Sequence, residues 1–282
     1  MEFQTLEVRG LNKSSLLANK AKAFVSPFED VCCRLYGMIE ETPQDVFCII
    51  DSSGTMHGVF SYTRGQLVLP CLPYDRQNVK DALQDFFYNH RVFCLSGKIE
   101  FCRIAKTALY AAATQSLEEE RLFYFFKHEA PPESKVIPGI TFFQCCKKDS
   151  EEMMPLQLEY IKEEVLPKKM KLNPPVERLS LDRAVKKGFV YALKTAEGKI
   201  CAKAQINARS PRYELVGGVF TAPEYRGKGF ASFLMSSLIQ KTALEGRRAV
   251  LFAGQRNVPA LLLYRSLGFR EIGEYSISYF TK

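Results

Sequence analysis

The sequence predicts a mixed α/β (α+β) protein of two domains, each built around a mixed sheet. Three observations support this. The chain has 282 residues, more than one domain usually holds. Short apolar segments alternate with amphipathic ones in its second half. A polar stretch, His128–Ser134, contains Pro131-Pro132 and coincides with a change of charge sign, which places a boundary between residues 1–134 and 135–282.

In the second half, the apolar run Pro138–Cys146 predicts a strand. Met154, Leu156, Leu158, Ile161 and Val165 stand at mostly helical spacing, predicting a helix over Glu151–Val165. Asn173-Pro174-Pro175 breaks the chain, and Leu181–Lys187 gives a short helix ended by Gly188. Strands Phe189–Lys194 and Ile200–Asn207 are joined through Glu197-Gly198, a hairpin signal. Tyr213–Phe220 is a third strand, and a helix follows from about Gly227 to Leu244, stopped at Gly246. The pattern closes with a buried strand Ala249–Ala253, a helix Val258–Leu267 ended by Gly268, and a last strand or pair over Phe269–Phe280.

The first half reads less plainly. Val46–Ile50 and Gly58–Tyr62 flank Ser53-Gly54 as a hairpin, Gln66–Cys71 adds a strand, and Asn78–Tyr88 is an amphipathic helix. Strands around Arg91–Leu95 and Ile99–Ile104 and a helical stretch Leu109–Leu117 complete the expectation. The segment Val46–Ile104 thus repeats the strand, strand, strand, helix, strand order of the second half.

Composition excludes several classes. Hydrophobic residues at 46% and charged residues at 25% are globular averages, not those of a disordered chain. No apolar run approaches the roughly 20 residues that span a bilayer, and the start Met1-Glu2-Phe3-Gln4 lacks the blocks of a signal peptide, so the cytoplasm is the expected location. The nine cysteines form no CxxC pair, and the adjacent pairs Cys32-Cys33 and Cys145-Cys146 sit among apolar residues, as reduced, buried thiols do. His57, His90 and His128 are scattered without metal-ligand spacing; no metal is expected. Residues 1–134 carry 14 basic and 17 acidic side chains, or −3, whereas residues 135–282 carry 25 and 14, or +11. An anionic partner is implied for the second half. Nucleic acid and a multiply phosphorylated cofactor are the two candidates.

The stretch Gly217–Ala231, GGVFTAPEYRGKGFA, favours the cofactor. An apolar strand passes through a short turn into a helix opened by Arg226-Gly227-Lys228-Gly229-Phe230-Ala231. Glycines there let the backbone approach a ligand, and helix-terminal amides at the positive end of the dipole can hold a pyrophosphate. A tight strand-to-helix connection would explain the glycines equally well. The pattern is neither GxxxxGK[ST] nor GxGxxG.

The segment resembles motif A of the GNAT superfamily of N-acetyltransferases, [RQ]xxGx[GA], which Arg226–Ala231 satisfies. Downstream, Asn257–Phe269 (NVPALLLYRSLGF) matches the pattern NxxAxxLYxxxGF, also characteristic of that family. The resemblance covers roughly Ile137–Phe280. It implies a GNAT-like acyltransferase fold in the C-terminal half and acetyl-CoA as acyl donor, with an amine of a small molecule or peptide as acceptor. The repeated element order extends it to a tandem arrangement with a degenerate GNAT-like N-terminal half.

Carried over by this resemblance, the backbone of Val219, Phe220 and Thr221 pairs with the pantetheine arm, and amides from Arg226, Gly227, Lys228, Gly229, Phe230, Ala231 and Ser232 bind the pyrophosphate. Gly217-Gly218 suits a bulge that opens the strand to the thioester, where an amide near Gly218 polarises the acyl carbonyl. Asn257 faces the cofactor, or caps a helix, or both. Tyr264 protonates the departing thiolate, or is a core aromatic. The general base is less well marked. Glu214, at the start of the strand, is the candidate; otherwise it is a solvated strand end. Phe230, Leu234 and Leu238 form a core stripe.

In the first half the equivalent turn, Leu69-Pro70-Cys71-Leu72-Pro73-Tyr74-Asp75-Arg76, has no glycine, and its prolines remove amide donors, so one cofactor site per chain is expected. The first domain shapes a substrate cleft or stabilises the second. Other readings stay open: a noncatalytic acyl-CoA sensor, or a tandem transferase using aminoacyl-tRNA. A simple nucleic-acid binder lacks basic-aromatic interleaving, so no nucleic acid is expected as a partner.

Overall fold

The computed structural model describes residues 5–12, 16–129, 136–167 and 169–281. The segment 1–4 and the boundary placed at Ser134 lie outside them. Two compact units emerge: Met1–Phe125 with Phe252–Arg256 and Glu271–Lys282, and Phe126–Leu251 with Asn257–Arg270.

The first unit contains β1 (Glu7–Gly10), α1 (Leu16–Val25), α2 (Cys33–Glu41), β2 (Val46–Ile50), β3 (Met56–Tyr62), β4 (Leu67–Cys71), α3 (Gln77–Asn89), β5 (Cys94–Lys98), α4 (Ile99–Ala111) and most of β6 (Leu117–His128). Strands β1 to β4 pair antiparallel in sequence order, and β5 pairs parallel to β4 through Leu67↔Cys94 and Val68↔Leu95. Its core gathers Val46, Val59, Leu83 and Phe87, with Phe60 packed edge-on against Phe86.

Two expectations for this unit fail. Ile99–Ile104 is the first half of helix α4, not a strand, and Leu109–Leu117 is not a helix: α4 ends at Ala111 and β6 begins at Leu117. The physical reason lies in which residues are buried. Phe101, Cys102, Ile104, Ala105, Ala108 and Leu109 all turn inward, a three-and-four spacing that outweighs the local alternation of Ile99 and Phe101 with Glu100 and Cys102.

The second unit contains β7 (Thr141–Gln144), α5 (Ser150–Tyr160), a π-turn Ile161–Val165, α6 (Pro174–Lys186), β8 (Val190–Lys194), β9 (Ile200–Arg209), β10 (Tyr213–Thr221), α7 (Phe230–Leu244), most of β11 (Arg248–Gly254), α8 (Val258–Ser266) and the start of β12 (Phe269–Phe280). Strands β7, β8, β9 and β10 pair antiparallel in that order, and β11 runs parallel to β10. The remainder of β12 belongs to the first unit, where Tyr275–Tyr279 pair antiparallel with Lys98–Cys94. Three antiparallel strands, a helix and a parallel strand therefore recur in both units, as the sequence suggests.

One correction concerns α6. Asn173-Pro174-Pro175 starts the helix instead of breaking the chain: Asn173 Oδ1 accepts from Val176 N at 3.4 Å, and the prolines occupy the first helical positions, where no amide hydrogen is missed. Helices α5 and α6 cover β8 to β10 through Met153, Leu156, Leu181, Val185, Val190 and Phe220. Phe230, Leu234 and Leu238 of α7 are buried as the expected core stripe.

All nine thiols are free; seven are buried. Cys146 departs from the expected pattern: it is exposed, and its thiol donates to Asp149 Oδ2 at 3.2 Å as part of a cap. Among the described residues, no helix is long and apolar enough to cross a membrane, and no cluster of His, Cys, Asp or Glu is placed to hold a metal ion.

Candidate functional site

Strand β10 is paired with β11 only at its start, from Tyr213↔Arg248 to Leu215↔Val250. On its other edge the register with β9 shifts between Gly217 and Phe220, a bulge centred on Gly218 and Val219. Gly218 has φ +59°, which a side chain would strain, and an added Cβ would stand 3.1 Å from Lys203 Nζ. From Val216 to Thr221, the edge of β10 that faced β11 is thus left outside the parallel ladder. This is the opening expected at Gly217-Gly218.

Beyond β10, a short turn Pro223–Tyr225 leads to Gly227 and Gly229 at φ 75° and 78°, and α7 begins at Phe230. Gly229 is the N-cap and no side chain caps the helix. The bond from Phe233 N to Gly229 O, 3.0 Å, begins the helical ladder, so the amides ahead of it have no intrahelical partner. Residues 226–229 are exposed, and a Cβ on Gly229 would meet only Ile137 Cδ1, at 3.9 Å. Uncapped amides, a helix dipole and open space directly above them make a fitting seat for a pyrophosphate.

The basic side chains of this turn are partly engaged. Arg226 is half-exposed; its Nε donates to Thr221 O and its guanidinium to Glu163 Oε2, both at 3.0 Å. Lys228 Nζ donates to Glu224 O at 3.0 Å. Ala231 and Ser232 form the first turn of α7, and the Ser232 carbonyl accepts from Ser236 Oγ at 2.8 Å.

Asn257 caps α8: its Oδ1 accepts from Ala260 N at 3.2 Å, while Nδ2 donates to Glu164 of the π-turn at 3.2 Å. Tyr264, on α8, is 7% exposed and packs edge-on against Phe269. Burial pushes its phenol well above the ordinary tyrosine range, and the nearby Tyr160 and Glu164 push the same way, so it holds its proton at neutral pH.

Glu214 is fully buried, not a solvated strand end. Its Oε1 accepts from Arg209 Nε at 2.6 Å and its Oε2 from Thr242 Oγ1 of α7 at 2.7 Å, with Arg247 3.9 Å away. Both oxygens of the expected base are committed to partners that pin β10 to β9 and α7. The sequence pointed to a carboxylate in this strand; in the structure two arginines, Arg209 and Arg247, stand beside it.

Two residues missed in the sequence complete the site. Lys203 of β9, 1% exposed, donates from Nζ to the Gly218 carbonyl at 3.1 Å and lies over the ring of Tyr160, 4.4 Å from its centroid. Burial pushes the phenol of Tyr160, the last residue of α5, up to about 12, with the Gly218 backbone opposing only in part. A legible signal existed for Lys203: it sits between Ala202 and Ala204 inside an apolar strand, where a lysine has no cheap way to reach water.

Comparison with known proteins agrees with this geometry. The model of the FR47-like protein family matches residues 200–278, which include the bulge, the turn and α8. A GNAT-family acetyltransferase of Colwellia psychrerythraea superposes with a TM-score of 0.63 at 12% identity, covering 98% of this chain and 100% of that one. A tandem GNAT protein from the clavulanic acid biosynthesis pathway gives 0.61 at 12% identity over 98% of both chains. A GCN5-related N-acetyltransferase of Sphaerobacter thermophilus gives 0.57 at 14%, over 97% of this chain and 94% of that one. No curated protein sequence matches. The fold is that of the GNAT N-acetyltransferases, and the likeness extends over the whole chain, as it does with the tandem GNAT protein.

Proposed function

We propose that this GNAT-fold chain transfers the acetyl group of acetyl-CoA to a primary amine of a small molecule or peptide, by direct attack on the thioester at one site in the second unit. The observation that carries this reading is the opening of β10 from β11 after Leu215, continued by the uncapped glycine turn into α7. An enzyme built to bind a thioester with a pyrophosphate tail needs both features in that order.

In this reading, amides from Gly227 to Ser232 hold the pyrophosphate at the α7 terminus, the Arg226 amide being bonded to Pro223 O at 3.2 Å, and the Arg226 and Lys228 side chains add charge. The open edge of Gly218, Val219, Phe220 and Thr221 pairs with the amides of the pantetheine arm as an added strand would. Asn257 keeps α8 in place through its cap and its bond to Glu164, so that Tyr264 faces the thioester. Tyr264, protonated at neutral pH, donates its hydroxyl proton to sulfur as the C–S bond breaks. Glu214 anchors β10 and leaves proton removal to another group.

The first unit offers no second seat. Its turn after β4 carries no glycine, and Cys71 and Leu72 are buried there, Leu72 against Gly58 of β3.

The experiment is incubation of the purified protein with acetyl-CoA and a panel of primary amines, reading released CoA thiol. Amine-dependent thiol release supports the reading. Tight acetyl-CoA binding with no release across the panel would replace it with an acyl-CoA sensor.

A further inference from the structure

We propose that Lys203 is the general base that takes the proton from the acceptor ammonium, an assignment that rests on the acyl-transfer reading above. The group is placed for it. Nζ lies at the bulge where β10 leaves its parallel neighbour, bonded to the Gly218 carbonyl at 3.1 Å and stacked over the Tyr160 ring. It is nearly inaccessible to water in the free protein. Its bonded and ring partners are one neutral carbonyl and one aromatic face; neither is a carboxylate.

The surroundings decide its protonation. The titratable groups facing it are Tyr160 from α5, Cys145 just beyond β7 and Glu177 from α6. Burial pushes the Cys145 thiol and the Tyr160 phenol up to about 12, so both are uncharged at pH 7. Burial lowers the Lys203 ammonium to about 7, opposed only in part by the field of Glu177. A neutral amine is then accessible near pH 7, with a lone pair at the bulge beside the proposed thioester site.

The step balances as follows. Neutral Lys203 takes one proton from the acceptor R–NH3+ and becomes an ammonium. The freed amine attacks the thioester carbonyl carbon, forming the C–N bond. The tetrahedral species collapses with cleavage of the C–S bond, and the sulfur takes the Tyr264 hydroxyl proton. The nitrogen of the new amide gives its second proton back to Tyr264, and Lys203 returns its proton to solvent. The net change is one thioester and one ammonium to one amide, one thiol and one proton.

The test compares two acceptors that differ in their need for a base. Ethylamine is an ammonium at pH 7; hydroxylamine is already neutral. Thiol release from acetyl-CoA is measured with each, for the parent, Lys203→Met and Lys203→Arg. The ratio of ethylamine to hydroxylamine turnover is expected to fall by about 10² to 10⁴ in both variants, and to recover in Lys203→Met as pH rises. A ratio unchanged in the variants, or equal losses with both amines, overturns the assignment. In parallel, 13C-lysine NMR of the parent, with the Lys203 resonance assigned by its absence from Lys203→Arg, reads the titration directly. A midpoint near 7 supports the assignment, and one near 10 overturns it whether or not turnover is found. Failure of the parent to release thiol with any amine overturns the acyl-transfer reading, and the assignment falls with it.

Discussion

Glu214 Oε1 accepts from Arg209 Nε at 2.6 Å, one strand away and five residues earlier in the chain. With Thr242 holding the other oxygen, this carboxylate ties β10 to β9 and α7 at the point where β10 starts to part from β11. Its removal leaves the buried Thr242 hydroxyl without its acceptor and Arg209, about one third exposed, with only the longer contact to Glu245 at 3.5 Å. We expect Glu214→Ala to cost roughly 2–3 kcal/mol in chemical denaturation, less than for a fully buried pair because water reaches Arg209. A catalytic base would behave differently, with normal stability and a collapse of turnover alone.

Gly229→Val places a branched side chain at φ 78° in the open space over the α7 amides. The strained backbone costs about 1–2 kcal/mol, which leaves the unit folded. Calorimetry should show acetyl-CoA binding abolished while circular dichroism stays that of the parent. Normal affinity in a folded variant would make the turn a connection and nothing more.

Tyr264→Phe keeps the ring against Phe126 and Phe269 and removes only the hydroxyl. Acetyl-CoA affinity should be nearly unchanged. Because a thiolate leaves readily without help, turnover at saturating acetyl-CoA should fall by roughly tenfold to a hundredfold, the lower part of the range for general acid catalysis. Equal turnover would leave solvent as the proton donor.

Lys203 carries a stability cost with a definite pH signature. Its folded value, lowered to about 7, lies below the unfolded one near 10.4, so between them the unfolded chain binds a proton that the folded chain does not. Stability of the parent therefore rises with pH across this window, by up to about 1.4 kcal/mol per pH unit, whereas below it the full cost of the buried ammonium is present. Lys203→Met lacks the charge, so it should be more stable than the parent at pH 6 and lose that advantage steadily toward pH 10. Parallel stability curves for the two proteins would show that the lysine titrates normally.

Much of the second unit was legible because its local signals agree. Strand alternation, helix periodicity and the glycines at 217, 218, 227 and 229 all point to one order of elements, and the structure places them in it. The first half was harder to read. Ile99 to Ala111 carries β-branched and aromatic residues that favour a strand locally, and only burial against the rest of the unit selects the helix. At the site, what failed to show in the sequence is long-range pairing. Nothing local tells that Arg209 and Thr242 close on Glu214, or that Lys203 and Tyr160, 43 residues apart, meet at Gly218. Asn173-Pro174-Pro175 shows the same ambiguity in miniature, since prolines that end one helix also begin another.

The most direct measurement of the central claim is a calorimetric titration of the intact chain with acetyl-CoA. One turn has uncapped amides, open space and a parted strand beside it; its counterpart after β4 has buried side chains and no glycine. The expected result is saturable binding of one acetyl-CoA per chain. Two equivalent sites, or no binding at all, would contradict the account.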